Sequence, residues 1–470
     1  MDALQNKVFL KYYQMIVFLW GALCALSFAP FHLPWLNVIG LAGLLFSLKN
    51  ASPKQAFWRV FSFGFALFGM GVSWVFISIY RYGGAPLPLA AVLTLLFIVF
   101  LSLFLAPLGP LYRLSKMPPW VTFPVLWVGF EGLRASIFTG FPWLLMGTAH
   151  VESILGHWAP LGGVWLVSFI VALLASLISL SPMKGIGIGV LLACSAGLSQ
   201  VTWVHPLPKT QSVTLIQPNF TPDMALNPAH IHSMMHTLQQ ISAPFLGQNT
   251  WIIWPESALP VPLPYADNWL LQLTQSKPST LFVSAPYFYE IPPRYTNSVW
   301  IVGTNNRYEK QQLVPFGEYV PFESQLRGLI HFFDLPLSQF SRGQHTQPLQ
   351  YHSWTIGTSI CYEMAYPGLV AQQAAVSDIL LNVSNDGWFG HSLGPYQHLQ
   401  MAQMRAKETG RMVIRATNTG LSALIDAEGH LVTTLPLGEV GALTAEGQAF
   451  SGTTPWVWFM VQFSSVFRKS

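Results

Sequence analysis

Charge is scarce in this chain. Only 9% of its 470 residues are Asp, Glu, Lys or Arg, where a soluble domain carries about a quarter. That shortage, with 52% hydrophobic residues, excludes a fold wholly surrounded by water. Cysteine is equally rare: there are 3, and Cys24 and Cys194 fall in long apolar runs. No disulfide framework can be drawn, and Cys361 is left as the one thiol of the more polar C-terminal part. No small-residue cleavage site follows the first apolar run, so it reads as an anchor that is kept. There is no internal repeat or low-complexity tract, and no basic stretch interleaved with aromatics, which excludes a nucleic-acid groove. A net charge of +4 therefore has to be explained by where the cations lie.

What is present is a series of apolar runs over the first two hundred residues. They lie near Tyr12 to Phe31, Trp35 to Leu48, Phe57 to Tyr80, Leu87 to Leu111, Pro119 to Leu133, Ala159 to Leu180 and Gly185 to Val204. A bilayer core takes about 20 such residues per helix, so about seven spans are expected over residues 1–205, with the second and fifth short enough to be tilted or re-entrant. Lys7, Lys11, Lys49, Lys54, Arg59, Arg113, Lys116 and Lys184 sit in alternate joints, where positive loops stay cytoplasmic. The opposite joints hold little beyond Arg81 and Arg134. This places the N-terminus inside and residues 206–449 outside, with 450–470 as a last crossing ending in Arg468 and Lys469.

Residues 206–449 change to strand-like runs separated by polar turns, a stretch the size of one large domain. "TWIIWPES" reads as a buried strand followed by Glu256, and "HSWTIGTSICYE" as another ending at Cys361. "SVTLIQPN" and "SDILLNVSND" have the same shape, ending at Asn219 and Asn385. In open α/β sheets ligands gather beyond the carboxyl ends of strands, so these distant residues can meet. Asn227 and Pro228 read as a helix start. "RYEKQQLVPFGEYVP" adds Lys310 and Glu318.

A free thiol has a pKa of about 8.5 and needs a base or a nearby cation to act as a nucleophile. Glu256 can take the proton if burial beside "WIIWP" raises its pKa. Lys310 and the Tyr362 N–H can face the oxyanion formed on a carbonyl, and Glu318 can hold Lys310 or Glu256. Other readings stand beside these. Trp388 and Phe389 either cap the core or cover a site. Glu363 can be a surface charge and Tyr362 a core residue. His230, His232 and His236 suit a solvated helix face better than a metal site, since no Glu follows His232.

The motifs "WPES", "KQQLVPFGEYVP" and "CYE", in that order, resemble the Glu-Lys-Cys sites of the nitrilase (carbon-nitrogen hydrolase) superfamily. Joined to a multi-span N-terminal half, and with "TGFPWL" and "NDGWFGHSLGPYQHLQMAQMRA", the chain resembles the membrane-bound apolipoprotein N-acyltransferase family. The resemblance covers nearly the whole chain. It implies a helical membrane domain joined to an αββα sandwich at the periplasmic face of a bacterial inner membrane. It implies Glu256 as base, Lys310 as stabiliser and Cys361 as nucleophile, with Glu318, Tyr362, Glu363, Asn297, Arg327 and Asn385 in support and Trp388 and Phe389 at the lid. The partners implied are a phospholipid acyl donor and the diacylglyceryl-cysteine N-terminus of an apolipoprotein, handled by a monomer without metal or cofactor. One departure is Leu226, where the family often has a tryptophan, with Pro218 replacing a glycine.

Two rivals follow from the residues themselves. A membrane-anchored amidase would use the same Glu, Lys and Cys with water as acceptor. A transporter or receptor would need intramembrane charges, for which Glu131 and Arg134 are the nearest candidates.

Overall fold

The computed structural model describes residues 2–180, 184–221, 224, 227–259, 261–319 and 340–467; Leu226, Arg327, Arg468 and Lys469 lie outside them. The chain divides into two compact units, one built on the N-terminal helices up to Val201 and the other continuing from Thr202.

The first unit is helical. Its main helices are α1 (Asp2–Ala25), α2 (Trp35–Leu48), α3 (Pro53–Gly71), α4 (Leu87–Leu105), α5 (Pro119–Arg134), α6 (Ala159–Leu180) and α7 (Lys184–Leu198). Ser52 caps α3 in a reciprocal box with Gln55, and Pro53 takes the first turn, where its missing N–H is no loss. With the short helices that adjoin α4 and α6, residues 87–114 and 154–179 are long and apolar enough to cross a membrane. The third apolar run is not one straight rod: Pro53–Gly71 and Val75–Tyr82 are bent by 59° at a Gly- and Ser-bearing break, a common place for a kink. The seventh run ends earlier than its composition suggests, at Leu198, because Val204 already belongs to a strand. Close packing depends on small residues; a Cβ at Gly21 would lie 2.1 Å from the Phe63 carbonyl oxygen.

Glu131 and Arg134 are both buried and both hold backbone of the 141–146 segment. Glu131 accepts from the Met146 N–H at 2.8 Å and from Trp127 Nε1 at 3.1 Å. Arg134 donates to the carbonyls of Phe141, at 2.8 Å, and Trp143. These charges tie down the 141–146 segment, which is a structural use and gives no support to an ion pathway.

The second unit holds twelve described strands in two six-stranded sheets. The first contains β1 (Val204–Gln217), β2 (Thr250–Ile253), β3 (Thr280–Tyr289), β4 (Arg294–Ile301), β5 (Arg307–Glu309) and β12 (Gly441–Gly452), ordered β12-β1-β2-β3-β4-β5. The second contains β6 (Leu349–Tyr351), β7 (Trp354–Ile360), β8 (Ile379–Ser384), β9 (Val413–Thr417), β10 (Ser422–Ile425) and β11 (Leu431–Leu435), ordered β11-β10-β9-β8-β7-β6. Each has a parallel centre, β1-β2-β3 and β7-β8-β9, flanked by antiparallel strands.

Alternation along the central strands makes the layers. Val213, Leu215, Trp251, Ile253 and Phe282 face Ile356, Ile360, Ile379, Leu381 and Ile414 between the sheets. Their neighbours Ile216, Ile252, Trp254 and Leu281 turn the other way onto Met234 and Leu238 of α8 (Ile231–Ser242) and Leu263 and Leu270 of α9 (Leu263–Ser276). Strands buried on both faces read as unbroken apolar runs, which is why "TWIIW" lacks polar alternation. On the outer face of the second sheet lie α10 (Pro367–Ala374) and α11 (Gly394–Thr409), and α12 (Pro455–Phe467) packs on both. The result is an αββα sandwich.

Helix α11 is buried along its whole length although much of it is polar. Its polar groups are matched: Arg405 pairs with Glu408 at 2.7 Å, Thr409 Oγ1 donates to the Arg405 carbonyl at 2.8 Å, and Gln403 Nε2 donates to the Gly429 carbonyl at 3.0 Å. Burial of such groups is tolerated because they are paired.

Candidate active site

Four strand ends supply the site. Glu256 follows β2 by three residues, Lys310 follows β5 directly, Cys361 follows β7 and Asn385 follows β8. The main-chain connection after β7 is special: Cys361 has φ +52°, a left-handed conformation that costs a non-glycine residue about 1–3 kcal/mol and that clusters at active sites. The chain then enters a short 3₁₀ turn, Cys361–Ala365.

Glu256 is buried at 6% exposure yet accepts three hydrogen bonds. Oε1 takes Asn297 Nδ2 at 2.8 Å and Lys310 Nζ at 3.3 Å, and Oε2 takes the Asn385 backbone N–H at 2.8 Å. The Cys361 thiol lies within range of this carboxylate, whose charge acts on it. Lys310, 1% exposed, also donates to Glu318 Oε1 at 2.8 Å, and its backbone N–H donates to the Asn297 carbonyl at 2.8 Å. Glu318 Oε2 is fixed in turn by the Val314 N–H at 2.8 Å. The side-chain nitrogen of Asn297 thus bridges two carboxylates, at 2.8 Å to Glu256 and 3.4 Å to Glu318.

The electrostatics follow from this count. Two carboxylates surround one ammonium. Burial raises the Glu256 pKa above its ordinary value, with Lys310 opposing and Glu318 adding to the rise. Burial works against the Lys310 charge, but Glu256 and then Glu318 outweigh it and hold the ammonium well above its ordinary pKa. Burial, then the Glu256 charge, pushes the Cys361 thiol well up, Lys310 resisting. The resting state is therefore a thiol beside a carboxylate of enhanced basicity and a permanent cation.

Glu363 is fully buried, which overturns its reading as a surface charge. It accepts from the Gln311 N–H at 2.6 Å and the Gln312 N–H at 3.1 Å through Oε1. Through Oε2 it accepts from the Ile360 N–H at 2.7 Å and the Tyr308 hydroxyl at 2.9 Å. One side chain thus clamps the Lys310 segment to the end of β7. Burial pushes its carboxyl up to about 7, against the pull of the Ile360 and Gln311 N–H groups.

Tyr362 is buried beside the Tyr366 ring, centroids 5.2 Å apart. Trp388 and Phe389 are half-buried, and the Phe389 ring lies edge-on to His398 at 6.2 Å. His230, His232 and His236 are exposed. Arg327 and Leu226 fall outside the described residues.

The sequence reading missed several members. Asn418 donates Nδ2 to the Phe220 carbonyl at 2.7 Å and to Asn385 Oδ1 at 3.1 Å, and its Oδ1 accepts from the Phe220 N–H at 2.9 Å. It ties the segment after β1 to the residue that holds Glu256. Tyr308, Asp386, His398 and Arg415 were also passed over. Arg415 was the legible signal: a cation within the apolar run "MVIRAT" demands a buried acid partner.

Residues 20–177 match the family "Apolipoprotein N-acyltransferase N-terminal domain", and residues 234–452 match "Carbon-nitrogen hydrolase". The chain is similar to an apolipoprotein N-acyltransferase of Azotobacter vinelandii, 40% identical over 93% of this chain and 89% of the relative. It is also similar to one of Pseudomonas aeruginosa, 38% identical over 94% and 91%. Among solved structures, a carbon-nitrogen hydrolase of Helicobacter pylori overlays 56% of this chain and 95% of its own, with 14% identity and a TM-score of 0.39.

Proposed function

The chain belongs to the apolipoprotein N-acyltransferase family, and from that premise we propose that it moves an acyl chain from a phospholipid to the α-amino group of a diacylglyceryl cysteine, through a thioester on Cys361. The family membership itself makes it an N-acyltransferase with lipid and lipoprotein substrates. The donor, the intermediate and the residue roles are the proposal. The observation that carries them is the meeting of Glu256, Lys310 and the Cys361 thiol in one buried cluster.

In the first half-reaction Glu256 takes the thiol proton as Cys361 Sγ attacks the ester carbonyl carbon. Charge moves to the carbonyl oxygen, faced by Lys310 Nζ and the Tyr362 N–H. Because two carboxylates and one ammonium already sum to one negative charge, a free thiolate would be costly; proton transfer accompanies attack. Collapse breaks the ester C–O bond, Glu256 returns the proton to the glycerol oxygen, and a lysophospholipid leaves. In the second half-reaction the acceptor amine attacks the thioester carbonyl, Glu256 accepts a proton from the nitrogen, and the sulfur leaves as the restored thiol. Glu318 keeps Lys310 charged through both halves.

The donor also gives a reason for the helical half, since a phospholipid is delivered from a bilayer. Two helices of adequate length and apolarity support membrane residence, and the alternation of Lys and Arg supports a domain facing the periplasm. Seven spans over residues 1–205, a catalytic domain over 206–449, a last crossing over 450–470 and action as a monomer remain parts of this reading.

The test uses purified protein in detergent with a phospholipid labelled in its acyl chain and an N-terminal diacylglyceryl-cysteine peptide. Label on the peptide amide is expected, and its loss in Cys361→Ser. Release of free fatty acid alone, with the peptide unlabelled, would favour the amidase.

A further inference from the structure

Against the main chain of the nucleophile lies a second buried cluster. His398 of α11 is fully buried. Its Nε2 is 3.1 Å from the Cys361 carbonyl oxygen, its Nδ1 is 2.9 Å from Asp386 Oδ1, and Arg415 Nη2 lies 3.1 Å from the same Nδ1. Arg415 Nη2 donates to Asp386 Oδ2 at 2.8 Å, another Arg415 nitrogen donates to Asn382 Oδ1, and Ser384 Oγ donates to Asp386 Oδ1 at 2.8 Å. Burial works against the Asp386 charge, but Arg415 and His398 outweigh it and hold the carboxyl well below its ordinary range.

A carbonyl oxygen can only accept, so Nε2 must carry a hydrogen whether the ring is neutral or cationic. That hydrogen bond acts on one peptide group with two ends. The Cys361 carbonyl and the Tyr362 N–H belong to the same planar trans unit and point in opposite directions. Fixing the carbonyl therefore aims the Tyr362 N–H, and polarising the carbonyl makes that N–H a stronger donor. The same anchor opposes relaxation of the left-handed φ of +52° at Cys361. Asp386 also adjoins Asn385, whose backbone N–H holds Glu256, so one cluster references base and nucleophile to each other.

We infer that His398, oriented by Asp386 and Arg415, is a positioning residue that aims the Tyr362 N–H at the oxyanion by holding the Cys361 carbonyl. The inference rests on the reading of Cys361 as nucleophile and of the Tyr362 N–H as oxyanion donor.

Two chemically matched variants test it. In H398Q the amide nitrogen can occupy the place of Nε2 and reach the Cys361 carbonyl; in H398N it falls at the place of Nδ1 and reaches only Asp386. Two rates are read on the Cys361 peptide by mass spectrometry. One is acylation by phospholipid, which develops an oxyanion. The other is alkylation by iodoacetamide, which develops none. H398Q is expected to keep both rates within about threefold of the unsubstituted protein. H398N is expected to lose about 100-fold in acylation, the usual effect of a misplaced reacting group, while its alkylation stays within about threefold. Equal rates in the two variants, or a parallel fall of acylation and alkylation in H398N, including through failure to fold, would assign His398 a merely structural role and overturn the inference. If the unsubstituted protein forms no acyl adduct on Cys361, the nucleophile reading fails first and the inference falls with it.

Discussion

Replacing Glu363 by Gln changes one oxygen to an NH₂ and almost nothing in volume. The consequence can be counted. Four donors converge on this carboxylate: three backbone N–H groups and the Tyr308 hydroxyl. The amide oxygen can keep the Gln311 and Gln312 N–H groups. Its NH₂ then faces Tyr308, which can rotate to accept, and the Ile360 N–H, which cannot. One buried backbone donor is left unmet, at a cost of about 1–3 kcal/mol, and it lies next to Cys361. A displaced nucleophile loses about 100-fold in acylation rate.

The pH dependence gives a second signature. Glu363 is raised from 4.5 to about 7 in the folded protein, so the folded state binds its proton more tightly than the unfolded state. Its stabilising contribution is fully present below about pH 4.5 and is lost as pH rises through about 7, in all about 3 kcal/mol. The Gln variant removes that slope. Thermal midpoints in detergent across pH 5–8, followed by tryptophan fluorescence, and the acylation rate of the Cys361 peptide are the assays. A variant with an unchanged rate and an undiminished slope would refute the clamp.

Further outcomes can be checked together. Glu256→Gln should abolish thioester formation in a protein that still folds, its midpoint lowered by about 1–3 kcal/mol of lost stability because the amide NH₂ faces either the Asn385 N–H or the Asn297 and Lys310 donors; an acylated Cys361 in this variant would remove Glu256 from its role as base. Since the Glu256 pKa is raised, acylation should fall as pH drops through a value above 4.5, and a rate flat down to pH 4 would contradict the assignment. Lys310→Met leaves Glu256 and Glu318 facing each other in the interior without a cation, a loss of about 3–5 kcal/mol, visible as a large drop in midpoint. Asn418→Ala deletes three hydrogen bonds that tie Phe220 to Asn385 and should cost about 1–3 kcal/mol; a midpoint shift within error would show that the tie carries no weight.

Local signals were the legible part of this protein. The unbroken run in "TWIIWPES" announced a buried strand and "HSWTIGTSICYE" a second, and reactive side chains just past their ends announced a crevice. Asn227 does cap the turn at Pro228–His230, accepting from the Ala229 N–H at 3.0 Å, as its position before a proline suggested. The supporting network was illegible because its partners lie far apart in the chain: His398 meets Cys361 across 37 residues, Asn418 meets Phe220 across 198. Helix α11 hid its role in another way. A segment carrying Gln, His, Arg, Lys and Glu has the composition of a water-facing helix, yet it lies between a sheet and α12; its Arg405–Glu408 pair follows helical spacing, whereas His398 is met by Asp386 and Arg415 from other elements, which no periodicity reveals. The alternative surface reading of Glu363 failed for the same reason, since a lone carboxylate after Tyr362 gives no hint of the three backbone N–H groups that converge on it.

The central claim is a covalent one, and a mass spectrum of the Cys361 peptide reads it directly. After incubation with a phospholipid of defined acyl chains and no acceptor, that peptide should gain the mass of one acyl group, removable by hydroxylamine and discharged by a diacylglyceryl-cysteine peptide but not by its N-acetylated form. An acyl group on any other side chain, or none on Cys361 while the acceptor is still acylated, would contradict it.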